Sequence, residues 1–98
     1  MLIVRGVNVF PAAVRDVVSR FQPRVTGAIQ IRPRQRGVKQ EPPLPVYVEG
    51  ESDPALAEKI GTELRNSLTF TPEVRLVPPQ SLPRSDYKSK LVDFSEAT

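Results

Sequence analysis

What chemistry this 98-residue chain can do is bounded first by what it lacks: it contains no cysteine and no histidine. Disulfides, thiolate nucleophiles, the usual zinc sites and histidine-based triads are excluded, so any reaction must run on Lys, Arg, Asp, Glu, Tyr or Ser. A polar, basic run from Gln80 to Lys90 holds Arg84, Ser85, Lys88 and Lys90. Arg84 and Ser85 could offer donors to a phosphate, or cap and solvate a turn after Pro83. On residue type alone, a loop lysine such as Lys88 is ordinarily solvated. Near the other terminus, Arg5, Gly6, Val7 and Asn8 lie together, and glycine there permits positive φ and close approach of another molecule to the backbone. Arg32, Arg34, Arg36 and Lys39 cluster in a turn-like region without interleaved aromatics, which reads as a solvated loop rather than a nucleic-acid surface. The net charge of +3 suits a surface meeting phosphate-bearing ligands and does not demand nucleic acid. No metal site is expected.

The apolar pattern supplies the scaffold that must hold these residues. Met1 to Pro11, MLIVRGVNVFP, reads as two brief strands around Arg5-Gly6, a hairpin or sharp corner. Phe10, Val14, Val17, Val18 and Phe21 recur at helical spacing and predict the apolar face of a helix from about Pro11 to Phe21, with Pro23 as its stop. Val25 to Arg32 alternates like a half-buried strand, and residues 34–45, RQRGVKQEPPLP, predict a long, mobile surface connection. Val46 to Gly50 predicts a partner strand with Val46 and Val48 on one face and Tyr47 and Glu49 on the other. Asp53 followed by Pro54 marks a helix start. Leu56, Ile60, Leu64 and Leu68 carry that helix to an end near Thr69 to Pro72. Val74 to Val77 reads as a third strand stopped by Pro78 and Pro79, and Leu91 to Phe94 as a last short strand or anchor.

This order predicts an α+β fold: a small, mostly antiparallel sheet with an N-terminal hairpin and two helices packed on it. One domain spans residues 1–98, with no internal repeat or boundary. A chain of this length buries only about two-thirds of the surface exposed when unfolded, which leaves no room for a large substrate cleft. No apolar stretch approaches the roughly 18 residues of a membrane span. The LIV run is too short for a signal-peptide core, so a cytoplasmic location is expected.

Two of these segments also carry a resemblance. Residues 1–11, MLIVRGVNVFP, resemble the segment just after the hinge in the phenylacetate-CoA ligase family of adenylate-forming enzymes, where an RGVNVFP-like string opens the small, mobile C-terminal domain. VRLVPPQSLPRSDYKSK, from Val74 to Lys90, is similar to that family's closing segment with its catalytic lysine. The two motifs in this order and at about this separation are more specific than either alone. The resemblance covers essentially the whole chain and corresponds only to the family's C-terminal domain.

The resemblance implies that Lys88 reaches the carboxylate and α-phosphate during adenylation. A point charge on a flexible stem would there neutralise charge as the carboxylate attacks phosphorus and pyrophosphate leaves. Lys90 is the neighbouring alternative, and Tyr87 stands where related enzymes commonly carry glycine. Arg5, Gly6, Val7 and Asn8 correspond to the hairpin that swings toward the active site for thioester formation, its backbone lining the pantetheine path. Arg84 and Ser85 would support the loop or a phosphate.

For the complete enzyme the resemblance implies ATP and CoA as substrates, Mg2+ with the ATP, and a carboxylic acid expected to be aryl. A large N-terminal adenylation domain, on the same or a separate chain, is the expected partner, because no glycine-rich phosphate loop occurs here. The chain alone is then expected to bind neither nucleotide nor CoA tightly and not to be active. Neither nucleic acid nor membrane is expected as a partner, and homo-oligomerisation stays open. Two other readings stay open too: the C-terminal domain of a synthetase that adenylylates a deazaflavin coenzyme, and a stand-alone, non-catalytic binding module.

Overall fold

At its N-terminus the chain folds back on itself within a few residues. Strand β1 (Leu2–Val4) pairs antiparallel with β2 (Val7–Val9), and Val4 faces Val7 across the turn Arg5-Gly6. Both turn residues have positive φ, 47° at Arg5 and 80° at Gly6, the type I′ geometry whose twist matches that of the flanking strands. Glycine adopts this readily, whereas an L-residue such as Arg5 does so at a cost of about 1–2 kcal/mol. The structure, a computed structural model, describes residues 2–82 and 91–93.

Helix α1 (Pro11–Ser19) begins on proline, whose missing N–H would have been unpaired in the first turn anyway. Val14, Val17 and Val18 form its buried face. Phe10 does not join them, contrary to the predicted face: it is the extended N-cap residue, φ −99° and ψ 120°, and its side chain is 54% exposed. Its carbonyl instead accepts from Ala13 N and Val14 N.

Strands β3 (Val25–Ile31), β5 (Leu44–Gly50) and β6 (Pro72–Val77) make a second sheet in the order β3-β5-β6. β3 and β5 pair antiparallel, as their patterns predict, and β6 lies parallel to β5. A parallel neighbour requires a crossover, which helix α2 (Pro54–Leu68) provides. Asp53 caps α2 by accepting from Ala55 N at 3.0 Å, and the helix closes at Thr69, left-handed with φ 58°.

α1 packs on β3, α2 on β6, and the helices on each other, so both cover one face of the central sheet. The register aligns Ile31, Val46 and Val74, then Ile29, Val48 and Leu76, in the core under the helices. Side chains alternate across a pleated strand, so the intervening row Gln30, Tyr47 and Arg75, with Glu49 beyond it, points to the opposite face. The α+β class, the hairpin and the helices are those the sequence predicts, and each sheet is mixed.

β5 starts earlier than its valine run suggests, because Pro45 is tolerated within it. Leu44 N donates toward β6, to Thr71 O at 2.9 Å, so the position of the absent Pro45 N–H faces the terminus of β3, where Arg32 N still donates to Pro45 O at 3.1 Å.

The predicted mobile connection at residues 34–45 is organised instead. Strand β4 (Lys39–Gln40) pairs parallel with β1, and Ile3 N donates to Val38 O at 2.7 Å. The side chain of Gln40, 5% exposed, donates to Gln35 O at 2.7 Å and Gly37 O at 2.9 Å. Gln35 Oε1 accepts from Glu41 N at 2.7 Å, so two glutamines satisfy backbone groups that a surface loop would leave to water. Among the described residues, no helix is long and apolar enough to cross a membrane.

Candidate functional site

Beyond β6 the chain passes onto the sheet face opposite the helices, over Glu49. Glu49 Oε1 accepts from Gln80 N at 2.9 Å and from Thr26 Oγ1 at 3.1 Å, and Oε2 accepts from Leu82 N at 2.9 Å. Glu49 is fully buried and Leu82 is 4% exposed. A carboxylate out of water is costly unless strong hydrogen bonds are made to its charged form, and two backbone amides and a hydroxyl make them here. Thr26 Oγ1 in turn accepts from Ala28 N at 3.2 Å, which orients its proton toward Glu49. Gln80 sits at φ 68°, and Ser81 closes the turn by donating through its backbone N and its Oγ to Pro78 O.

A second anchor lies on β3. Ile31 N donates to Leu91 O at 2.7 Å, Asp93 N donates to Ile31 O at 2.9 Å, and Val92 bridges Ile31 in parallel. Glu49 of β5 thus holds Leu82, and Ile31 of β3 holds Leu91, on either side of residues 83–90 in the sequence. Lys88, Lys90, Arg84, Ser85 and Tyr87 fall in that segment, outside the described residues.

Arg5, Gly6, Val7 and Asn8 are brought together on one exposed hairpin, with Val7 half-buried. A Cβ built on Gly6 would meet no atom within 4 Å, so its φ of +80°, rather than internal packing, is what calls for glycine. The space beside Gly6 is open to another molecule. Exposed Phe10 follows the same hairpin and leads into α1.

The basic cluster read as a solvated loop is partly ordered on the sheet. The Arg32 guanidinium lies 4.2 Å from the Tyr47 ring centroid, and Arg32 Nε donates to Gln30 Oε1 at 2.8 Å. Arg34 Nη2 pairs with Glu73 Oε2 at 2.6 Å, and Arg75 Nε approaches the same oxygen at 3.4 Å. These groups and Pro45 line a depression of about 220 Å³. The aromatic partner was invisible locally because it comes from a neighbouring strand.

At the start of α2, Arg24 Nε donates to Glu51 Oε1 at 3.2 Å and Nη2 to Asp53 Oδ2 at 2.6 Å. Arg24 is shifted upward, first by Glu51 and then by Asp53, and stays charged. The Asp53 carboxyl is held below its ordinary value, first by the Ala55 N–H and then by Arg24. These pairs fasten β3 to the helix start and stand apart from the hairpin.

Residues 6–93 match the AMP-binding enzyme C-terminal domain family. The chain is 33% identical over 105 aligned positions to a phenylacetate-coenzyme A ligase of Thermus thermophilus, a match covering 88% of this chain and 23% of that protein's length. A crystal structure of a domain of phenylacetate-coenzyme A ligase from Bacteroides vulgatus superposes with a TM-score of 0.77 at 26% identity, covering 100% of this chain and 93% of that one. The 2-hydroxyisobutyryl-CoA ligase in its postadenylation state shares the fold at a TM-score of 0.78 and 21% identity, covering 96% of this chain and 21% of that one. The family match runs from the turn of the hairpin to the second anchor on β3, and the chain belongs to the AMP-binding enzyme C-terminal domain family, as a C-terminal domain of the phenylacetate-CoA ligase-like adenylate-forming enzymes.

Proposed function

We propose that this chain is the mobile C-terminal domain of an ATP-dependent carboxylate-CoA ligase of the phenylacetate-CoA ligase type, working in the cytoplasm with a large N-terminal adenylation domain. The observation that carries this reading is the extent of the family match, residues 6–93, which takes in the hairpin from Gly6 onward and the basic segment. In the first half-reaction a carboxylate oxygen of the acid bonds to the α-phosphorus of ATP, the bond to the bridging oxygen breaks, and pyrophosphate leaves with its Mg2+. Lys88 sits beside the carboxylate and α-phosphate and offsets the charge that builds there. Arg84 and Ser85 support that loop or a phosphate. In the second half-reaction the CoA sulfur attacks the acyl carbonyl and AMP leaves as the thioester forms. The hairpin Arg5 to Asn8 then lies along the pantetheine, and the open space at Gly6 supports a close approach of backbone to that chain.

The acid is expected to be aryl, in keeping with the phenylacetate-coenzyme A ligases the chain resembles. Its pocket belongs to the N-terminal domain. The test is an assay of acyl-CoA formation from an aryl acid, ATP and CoA, with calorimetry of ATP binding to this chain alone. Turnover is expected only when the adenylation domain is present, with weak ATP binding by the isolated chain because it offers half of a site. Micromolar ATP affinity of this chain by itself would contradict the reading.

A further inference from the structure

We propose that the outer edge of β6, with the face of α2 above it, is a two-fold interface for a second copy of this chain. Among the described residues β6 ends its sheet, with β5 on one side and no strand paired on the other. The residues described beyond β6 return to β5 and β3, through Glu49 and Ile31. Leu44 N donates to Thr71 O, and Leu44 is in register with Pro72. In a parallel ladder this turns the backbone groups of Glu73 and Arg75 toward β5 and those of Pro72, Val74 and Leu76 outward. The open edge therefore presents the N–H and C=O of Val74 and of Leu76, and the carbonyl of Pro72, which has no N–H to leave unpaired.

Charge selects the register. In an antiparallel copy centred on Val74, each Val74 exchanges both backbone bonds with Val74 of the second copy, and Leu76 N donates to the second copy's Pro72 O. Glu73 then lies directly opposite Arg75 of the second copy, and Arg75 opposite its Glu73, on the sheet face away from the helices. Parallel pairing in register would instead oppose like charges. Within the chain Arg34 holds Glu73 at 2.6 Å while Arg75 meets it only at 3.4 Å, so Arg75 can turn to the second copy without stripping Glu73 of its partner. Proline and charge on an edge guard against indiscriminate pairing, and here they leave this one register open.

The helix repeats the pattern. Glu58, Gly61 and Arg65 of α2 line, with Pro72 and Val74, a depression of about 330 Å³ along this edge. Gly61 sits over Val74, for a Cβ built on it would lie 3.7 Å from Val74 Cγ2. A two-fold axis through the Val74 pair therefore passes beside Gly61 and brings α2 antiparallel to its copy. Exposed Glu58 and Arg65 flank Gly61 along the helix, so Glu58 falls opposite Arg65 of the second copy. Opposite charges are thus disposed about one point on both the strand and the helix, which is the self-complementarity an isologous contact requires. The inference needs none of the ligase chemistry proposed above.

The experiment is sedimentation equilibrium of the full 98-residue chain and of Glu58→Lys and Arg65→Glu, alone and mixed. The parent mass is expected to rise with concentration from 10.9 kDa toward twice that value. Each variant alone sets like charges against each other across the axis and should associate about 10-fold or more weakly. An equal mixture restores opposite charges at both ends of the helix pair and should associate within about three-fold of the parent. Both positions are exposed, so neither substitution threatens the fold. Amide exchange reads the strand edge: the Val74 and Leu76 N–H groups should exchange about 10-fold or more slowly in the associated parent than in monomeric Glu58→Lys. A parent that remains a monomer at about 1 mM overturns the inference. So does association that neither variant weakens, or a mixture no tighter than the variants alone. Equal exchange of the Val74 and Leu76 amides in parent and variant overturns it as well.

Discussion

Glu49 Oε2 lies 2.9 Å from the backbone nitrogen of Leu82, a residue 33 positions further along the chain. Truncating the carboxylate strands that buried amide and leaves the part-buried Gln80 amide and Thr26 hydroxyl without their acceptor. An unsatisfied buried donor costs about 1–3 kcal/mol, so Glu49→Ala should lose about 1–3 kcal/mol of stability, read from urea denaturation of this chain. A loss below about 1 kcal/mol would mean that water replaces the carboxylate easily.

Arg5 is the non-glycine residue of the type I′ turn, at φ 47°. Asparagine tolerates this region better, and Asn-Gly is the favoured pair for such a turn. Arg5→Asn should therefore stabilise the chain by about 0.5–1 kcal/mol. If the arginine is retained for CoA, the same variant in the whole ligase should weaken thioester formation while adenylation continues. A more stable protein with unaltered CoA kinetics would remove Arg5 from the functional hairpin.

Thr69 ends α2 in the left-handed conformation, exposed to solvent. A β-branched residue fits that region poorly, so Thr69→Gly should raise stability by about 1 kcal/mol, visible as a higher thermal midpoint. Its amide would still donate to Arg65 O, leaving the helix end intact. An unchanged or lower midpoint would show that the Thr69 hydroxyl, which bonds Leu68 O, outweighs the backbone strain.

Acid should loosen the start of α2. The Asp53 carboxyl is held below its ordinary value by Ala55 N–H and by Arg24, so its folded pKa lies under its unfolded one. Its contribution is then fully present above the unfolded value and is lost as pH falls through the folded one. Asp53→Asn keeps a capping oxygen without the ionisation. It should be less stable than the parent at neutral pH, and the difference should shrink below about pH 4. A gap between the two that is independent of pH would contradict this account of the cap.

The elements most legible in the sequence are those with a local cause. Pro11 and Asp53-Pro54 mark helix starts, Arg5-Gly6 marks the turn, and the alternation in Val25 to Arg32 and Val46 to Gly50 marks the strands that do pair. What stayed hidden depends on distant partners. Glu49 was assignable to the polar face, but the amides it accepts from, those of Gln80 and Leu82, lie more than thirty positions away. The glutamines that order residues 34–45 have no periodic signature, and their effect arises only when Gln40 is buried beside β1. Phe10 has the spacing of a core residue yet falls one step outside the helix, where its extended backbone turns the ring outward. For the candidate site, the hairpin was legible as a turn and the basic segment as a motif. The contacts of Leu82 with Glu49 and of Val92 with Ile31 were not.

On the function proposed above, one small domain serves two half-reactions with different surfaces, Lys88 for the adenylate and the hairpin at Gly6 for the thioester. Both half-reactions are to be measured in whole ligase carrying either Lys88→Ala or Gly6→Ile, each confirmed to be folded. Isoleucine at φ +80° is strained, so the fold check matters, but among the described residues a Cβ at this position meets no atom within 4 Å. Opposite losses are expected. Lys88→Ala should reduce ATP-pyrophosphate exchange by about 100-fold or more and spare thioester formation from supplied adenylate, and Gly6→Ile should do the reverse. Equal loss of both steps in each folded variant, or preserved CoA turnover in Gly6→Ile, would contradict it.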